Sequence, residues 1–120
     1  VCLIDKYSSS DGDLFPYGFR KLGLGKLIGT RSWGGIVGIS GSKNFVDGQD
    51  MRTPFFTSYS TEGEWIIEGH GVDPDIVVDI NPFDDYNGKD AQLEKAVEVL
   101  KAELKNFKPL PPTPADPVKN

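Results

Sequence analysis

The fold of this chain is decided by its opening stretch, VCLIDKYSSSDGDLFPYGFRKL, which covers residues 1–22. The first residues are apolar and end at Asp5, which predicts a buried strand that begins abruptly, as at the edge of a larger sheet. Turn-forming residues 8–13 follow. Apolar residues then recur at helical spacing and predict a short helix, in which Pro16 is tolerable only within the first turn. These apolar residues are Leu14, Phe15, Phe19 and Leu22.

A second strand is predicted after this helix. Gly23 and Gly25 predict the end of the helix, and residues 26–30 predict a strand that enters a loop at residues 32–35. The order strand, helix, strand indicates an α/β fold, which we expect to be a mixed sheet with packed helices. Further β-rich segments predict short strands whose pairing order the pattern does not reveal. They are residues 36–39, 53–60, 65–67 and 76–80.

The second half of the chain predicts a loop, a helix and a tail. Residues 81–88 are expected to form a polar loop, and Asp90 is expected to cap a helix over residues 91–107. An apolar stripe along this helix predicts packing against the core. Its members are Leu93, Ala96, Val97, Leu100, Leu104 and Phe107. We therefore expect one domain over residues 1–107, followed by a proline-rich tail, residues 108–120, of extended polyproline geometry.

Composition excludes several classes of function. With 13 Lys and Arg against 18 Asp and Glu, the net charge of -5 argues against nucleic acid or an anionic membrane as a partner. A single cysteine, Cys2, and a single histidine, His70, cannot form an internal disulfide or a zinc site, so we expect no metal and no cofactor. A lone cysteine fits a reducing compartment, and no apolar stretch is long enough for a membrane helix, so we expect a cytoplasmic protein.

A serine between a buried strand and a helix has a place where chemistry is possible. Ser10 stands there, so its hydroxyl has a fixed position and the free amides of the first helical turn face a developing oxyanion. From the local pattern alone, capping and turn formation by residues 8–10 is the simpler explanation. Asp13, in the same turn, is expected to stabilise the start of the helix electrostatically.

Several ordered motifs carry a resemblance to a known family. They are IDKYSSSDGD at residues 4–13, LIGTRSWGG at 27–35, WIIEGHGVDPDI at 65–76 and DAQLEKA at 90–96. Together they resemble the tricorn-type serine proteases, which belong with the carboxy-terminal processing peptidases. The core of that family resembles the crotonase and Clp protease fold. The resemblance extends over residues 1–107 and implies that this chain is the carboxy-terminal part of the catalytic domain.

The resemblance also implies roles for particular residues. Ser10 is the expected nucleophile, the backbone amide of Asp11 is expected to form part of the oxyanion hole, and Glu68 is expected to orient the catalytic groups. Glycines beside the active site let a peptide backbone approach closely. The expected substrate-binding residues are Trp33, Gly34 and Gly35. For Trp33, a place in the core is the alternative.

The catalytic base is the point at which this chain departs from the pattern of the family that it resembles. In the related processing peptidases a lysine 25 residues after the serine is the base, but that position is Gly35 here, so a lysine dyad is excluded. Resemblance to the tricorn branch implies instead a catalytic relay in which a serine and a glutamate hold a histidine. That histidine lies upstream of this stretch. His70 is expected to be a turn or surface residue, so we expect the isolated chain to be nearly inactive.

The resemblance implies a serine endopeptidase that hydrolyses short unfolded peptides. Its expected partners are peptide substrates, the upstream part of the same catalytic domain and further copies of the chain in a homo-oligomer. Two other classes remain open: a peptide-binding or assembly subdomain without catalytic activity, and a crotonase-like enzyme that transfers acyl groups.

Overall fold

A computed structural model of the chain describes residues 1–39 and 43–114. Its elements in chain order are β1 (Cys2–Ile4), α1 (Asp11–Lys21), β2 (Leu27–Gly29), β3 (Gly38–Ile39), β4 (Lys43–Asn44), β5 (Asp50–Met51), β6 (Pro54–Phe56), β7 (Ile76–Val77), α2 (Pro82–Tyr86) and α3 (Ala91–Leu104).

The central sheet is parallel and has the order β1–β2–β7. Strand β2 pairs with β1 through Cys2 opposite Leu27, and with β7 through Gly29 opposite Val77. Two antiparallel pairs, β3 with β6 and β4 with β5, lie outside this sheet. The predicted α/β fold and the order strand, helix, strand are confirmed, with parallel and antiparallel pairing in separate sheets.

The core lies where β2 meets the other elements. Leu27 of the central strand β2 is completely buried, and Ile4 of β1 is 2% exposed. Ile36, Ile67 and Val72, which lie outside the parallel sheet, join them in one apolar cluster. The segments around residues 36 and 67–72 are therefore anchored to the sheet, which positions the loops described below.

Helix α1 ends as predicted but begins earlier than its proline suggested. Gly23 adopts a φ of 65°, and its N–H donates to the Arg20 carbonyl at 2.9 Å. The N–H of Leu24 donates to the Phe19 carbonyl at 3.1 Å, which completes a Schellman motif. The expectation that Pro16 lies in the first turn is wrong, because the helix begins at Asp11. Burial of the proline ring offsets part of the lost hydrogen bond.

The loop predicted over residues 81–88 is instead the short helix α2. The Asn81 side chain accepts the N–H of Phe83 at 2.8 Å, and Pro82 occupies the first helical position. Both are local start signals that outweighed the polar composition of the segment. The strand predicted at residues 65–67 is also wrong, since only a bridge between Tyr59 and Trp65 forms there.

Helix α3 is capped as predicted but buries only one member of the predicted stripe, together with a polar residue outside it. The Asp90 carboxylate accepts the N–H of Leu93 at 2.9 Å. Gln92 and Ala96 are the buried residues of this helix, and the Gln92 amide donates to the Val78 carbonyl at 2.9 Å. Most of the predicted stripe is exposed, with Leu104 at 62%. The small side chain of Ala96 lets the helix approach β1 and β2, which leaves the larger apolar residues outside the contact.

The predicted tail has no regular structure over residues 108–114, and its remainder, residues 115–120, lies outside the described part of the chain. None of the described helices has the length and apolar character that a bilayer crossing would need.

Candidate active site

Five of the six predicted site residues, all except Glu68, follow the carboxyl ends of two parallel strands. The loop after β1 leads to Ser10, and the loop after β2 carries Trp33, Gly34 and Gly35. Since β1 and β2 are parallel neighbours, both loops leave the same edge of the sheet, where α/β proteins commonly bind ligands. The backbone N–H of Trp33 donates to the Ser8 carbonyl at 2.9 Å and joins the two loops.

Ser10 occupies a strained turn between strand and helix. Its φ of 57° and ψ of -115° lie in a region that residues with a side chain rarely adopt. Ser10 is the N-cap of α1, so the free amides of the first turn point past it. Within the described residues the N–H of Asp11 donates no hydrogen bond, and the Asp11 side chain is exposed. A strained serine beside an unpaired amide is the arrangement of a nucleophile elbow.

Ser10 and Glu68 line one cavity of about 380 Å³. Trp33 and Gly35 also line it, so four of the six predicted site residues come together. Asp11 and Gly34 do not reach its wall. The remaining lining residues are apolar except for one arginine. They are Val37, Ile39, Arg52 and Pro54.

Glu68 is presented by a tight turn. The N–H of Glu68 donates to the Ile66 carbonyl at 2.6 Å across Ile67, whose φ is 68°, which forms a strained γ-turn. Among the described residues, Ser10 and Ile67 are the two non-glycine residues with positive φ. Such strain persists only where the surrounding structure holds it, and it is concentrated at functional sites.

The Glu68 carboxylate is bound through one oxygen only. Oε2 accepts the backbone N–H of Ile36 at 2.7 Å and that of Val37 at 3.0 Å. Oε1 accepts no hydrogen bond from the part of the chain that the structure describes. The carboxylate therefore holds one wall of the cavity and keeps an oxygen free for another group.

Asp13 is a functional candidate for which the sequence pattern predicts only helix stabilisation. Its side chain is completely buried. Oδ2 accepts the N–H of Ser10 at 3.0 Å and that of Gly35 at 3.1 Å, and Oδ1 accepts the N–H of Gly34 at 2.8 Å. An acid three residues after a serine N-cap is the signal of a capping box, which could have revealed the contact with Ser10. No local pattern reveals the contacts with the glycines.

At both glycines of the loop after β2, other atoms of the chain lie too close to leave room for a Cβ atom. Gly34 has a φ of 87°, and a Cβ atom there would lie 2.5 Å from the backbone nitrogen of Gly71. At Gly35 a Cβ atom would lie 2.0 Å from the indole ring of Trp33. Trp33 is 66% exposed and covers Gly35, so the alternative that it belongs to the core is wrong.

His70 lies in an exposed turn, as predicted. Its Nε2 is 2.8 Å from Oδ2 of Asp73, and it does not line the cavity of Ser10. Residues 1–39 and 43–114 contain no group of histidine, cysteine and acidic residues that could hold a metal ion. The described part of the cavity supplies a hydroxyl and a carboxylate, with an amide donor beside it, but no imidazole.

The groups whose pKa is shifted lie away from this cavity. Partial burial raises the pKa of the Cys2 thiol, and hydrogen bonding from Ser60 lowers the pKa of Glu62. The sequence carries no signal that places Ile67 at the γ-turn or four further residues in the lining of the cavity, which are Val37, Ile39, Arg52 and Pro54.

Comparison with known proteins gives consistent matches. The chain is 42% identical over 107 residues to the tricorn protease of Thermoplasma acidophilum, a match that covers 89% of the chain and 10% of the relative. It is 36% identical over 104 residues to tricorn protease homolog 1 of Streptomyces coelicolor, covering 87% of the chain and 10% of the relative. The crystal structure of the tricorn protease matches with a TM-score of 0.80 and 43% identity, again covering 87% of this chain and 10% of that one.

This chain therefore spans about a tenth of the length of these relatives. The family model of peptidase family S41 matches residues 1–78, a range that contains every predicted site residue. Since that range is well over half of the 120 residues, and the relatives agree with it, the chain belongs to peptidase family S41.

Proposed function

We propose that this chain is the carboxy-terminal part of the catalytic domain of a tricorn-like serine endopeptidase, with Ser10 as its nucleophile. The observation that carries the proposal is that strained Ser10 and carboxylate Glu68 line the same cavity. Membership of a peptidase family supports the same reaction class. Because this chain spans about a tenth of the length of its relatives, we assign the complete peptidase activity to the full-length protein.

The proposed mechanism uses the groups of this cavity in sequence. The Ser10 Oγ attacks the carbonyl carbon of a peptide bond while a base removes the hydroxyl proton. The oxyanion that forms accepts the free N–H of Asp11 at the amino terminus of α1, and a second donor comes from outside this chain. Collapse of the intermediate releases the amine, which takes up the proton, and water then hydrolyses the acyl-enzyme to regenerate Ser10.

Glu68 has a supporting role in this proposal. Its free Oε1 accepts a hydrogen bond from the group that holds the base, while Oε2 keeps the cavity wall in place. The base comes from the upstream part of the catalytic domain, since the imidazole of His70 lies outside the cavity. Trp33 and Gly35 form the wall along which the peptide binds, and Gly34, which does not line the cavity, donates its N–H to Asp13.

The likeness to tricorn-like proteases also leads us to propose the substrates, the compartment and the oligomeric state of the full-length protein. The substrates are short unfolded peptides, and the compartment is the cytoplasm. Strand β1 is at the edge of the parallel sheet, which leaves backbone groups for pairing with the upstream part or with another copy. We therefore propose a homo-oligomer, and a monomer in sedimentation of the full-length protein would contradict this part.

A fluorophosphonate probe tests the proposed nucleophile. The full-length protein should be labelled at Ser10 and should cleave an unstructured peptide, and Ser10→Ala should abolish both while leaving the fold intact. Without its base, the isolated chain should be labelled at least about 10⁴-fold more slowly. A full-length protein that binds peptides without being labelled would instead support the non-catalytic peptide-binding function.

A further inference from the structure

We infer that Asp13 is a positioning residue, which holds Ser10 in its strained conformation and joins it to Gly34 and Gly35 of the loop after β2. Its effect on catalysis rests on the proposed role of Ser10 as nucleophile. Asp13 does not line the cavity and so acts through its neighbours.

The contacts of Asp13 join parts of the chain that are distant in sequence. Its carboxylate is 0% exposed and accepts N–H groups from Ser10, Gly34 and Gly35. Burial of a carboxylate is costly unless hydrogen bonds replace its hydration. These three bonds replace that hydration, so the carboxylate stays buried only while the two loops keep their present relative position.

Asp13 holds the backbone of Ser10 from both sides. The carboxylate accepts the N–H of Ser10, and the backbone N–H of Asp13 donates to the Ser10 carbonyl at 2.9 Å. The same Ser10 N–H also lies 3.2 Å from the Gly35 carbonyl, so the serine is tied directly to the wall as well. A φ of 57° is unfavourable for serine, and these bonds are what maintain it.

Both carboxylate oxygens are needed for this arrangement. Oδ2 accepts hydrogen bonds from two of the N–H groups, and Oδ1 accepts one from the third. An asparagine has one acceptor oxygen, and its NH₂ group would face a backbone N–H. Replacement of Asp13 by Asn should therefore release either Gly34 or the pair formed by Ser10 and Gly35.

Loss of these bonds should affect the reaction step more than substrate binding. Val37, which also lines the cavity, and its neighbour Ile36 are held separately by Glu68. Since Trp33 and Val37 still line the cavity, most peptide contacts should persist, while the Ser10 hydroxyl and the Asp11 amide lose their fixed direction. A misplacement of about 1 Å at a reacting group can cost about 100-fold in rate.

The test uses the full-length protein with Asp13→Asn and Asp13→Glu, and Asp75→Asn as the matched control. Asp75 also accepts a backbone N–H, from Leu27 at 2.7 Å, but it does not line the cavity. For Asp13→Asn we expect kcat and the labelling rate to fall about 100-fold, with KM changed by less than about threefold. Asp75→Asn should keep both rates at temperatures below its unfolding transition.

Two outcomes separate this inference from the proposed function. If the wild type is labelled at Ser10 and Asp13→Asn is labelled equally fast, the positioning role is overturned and the nucleophile stands. If the wild type is not labelled, the proposed function fails, and hydrogen exchange by mass spectrometry decides the positioning role. Exchange in peptides covering residues 8–14 and 32–36 should accelerate together in Asp13→Asn, and unchanged exchange would overturn it.

Asp13→Glu keeps the test valid if the asparagine variant does not fold. Glutamate retains both oxygens but is one methylene longer, so it should restore part of the labelling rate relative to Asn and still fall about tenfold below wild type. A glutamate variant with wild-type kcat and wild-type exchange in both peptides would overturn the inference, as would an asparagine variant that outperforms it.

Discussion

Residues 34–37, of which Gly35 and Val37 line the cavity, are held by two carboxylates in different ways. Gly34 and Gly35 donate their amides to Asp13, which is completely buried and uses both oxygens. Ile36 and Val37 donate theirs to Glu68, which is exposed and uses one oxygen. The same chemical group therefore serves two purposes. A saturated, buried carboxylate fixes geometry, whereas a half-saturated one at the surface of a cavity keeps an acceptor for a reacting partner.

The largest effect is expected from Glu68→Gln in the full-length protein. The glutamine oxygen can still accept the amides of Ile36 and Val37, so the wall and the melting temperature should be almost unchanged. The NH₂ group that replaces the free oxygen cannot accept a hydrogen bond, so kcat should fall by about 10³- to 10⁴-fold. Steady-state kinetics with a peptide substrate measure this, and exposed Glu64→Gln, which is outside the cavity, is the control.

Asp13→Asn, unlike Glu68→Gln, should clearly lower the stability of the protein. Since both oxygens of Asp13 are used, at least one buried N–H loses its acceptor, and the free energy of unfolding should decrease by about 2–4 kcal/mol. Urea unfolding of the full-length protein measures this value beside that of Glu68→Gln. Equal destabilisation by the two variants would contradict the distinction between the two carboxylates.

Gly34→Ala should be destabilising by about 2–3 kcal/mol, because a Cβ atom adds a backbone clash to an unfavourable φ. Gly69→Ala is the matched control: its φ is 77°, but nothing lies within 4 Å of the added Cβ. That variant should lose only about 1–2 kcal/mol, the conformational cost alone. Urea unfolding measures the free energy of unfolding of both variants. A smaller loss at Gly34 than at Gly69 would show that the loop after β2 moves to accommodate the added Cβ atom.

The smallest effect is expected from His70→Ala. The pair of His70 and Asp73 is exposed on both sides, so its loss should change the free energy of unfolding by less than about 0.5 kcal/mol. Since His70 does not line the cavity, kcat should remain within about twofold of wild type. A tenfold loss of kcat in peptide hydrolysis would instead identify His70 as a base.

Much of the fold near the site could be predicted because its signals are local. Apolar residues 1–4, the turn that follows and the glycines after α1 predicted β1, α1 and β2 in the correct order. Asp90 was recognised as a cap for the same reason. The errors lie where local start signals outweigh the polar composition of a segment, as at Asn81 and Pro82, or where the partner surface is unknown, as for the apolar stripe of α3.

Short stretches of the amino-acid sequence are enough to predict the secondary structure around Ser10, the glycines that permit close approach, and the motifs that identify the family. Tertiary structure alone decided that Ser10 and Glu68 line one cavity and that Asp13 joins the serine to Gly34 and Gly35. The physical reason is that helix caps and turns form between residues a few positions apart. A carboxylate finds distant backbone amides only after the sheet has brought its loops to one edge.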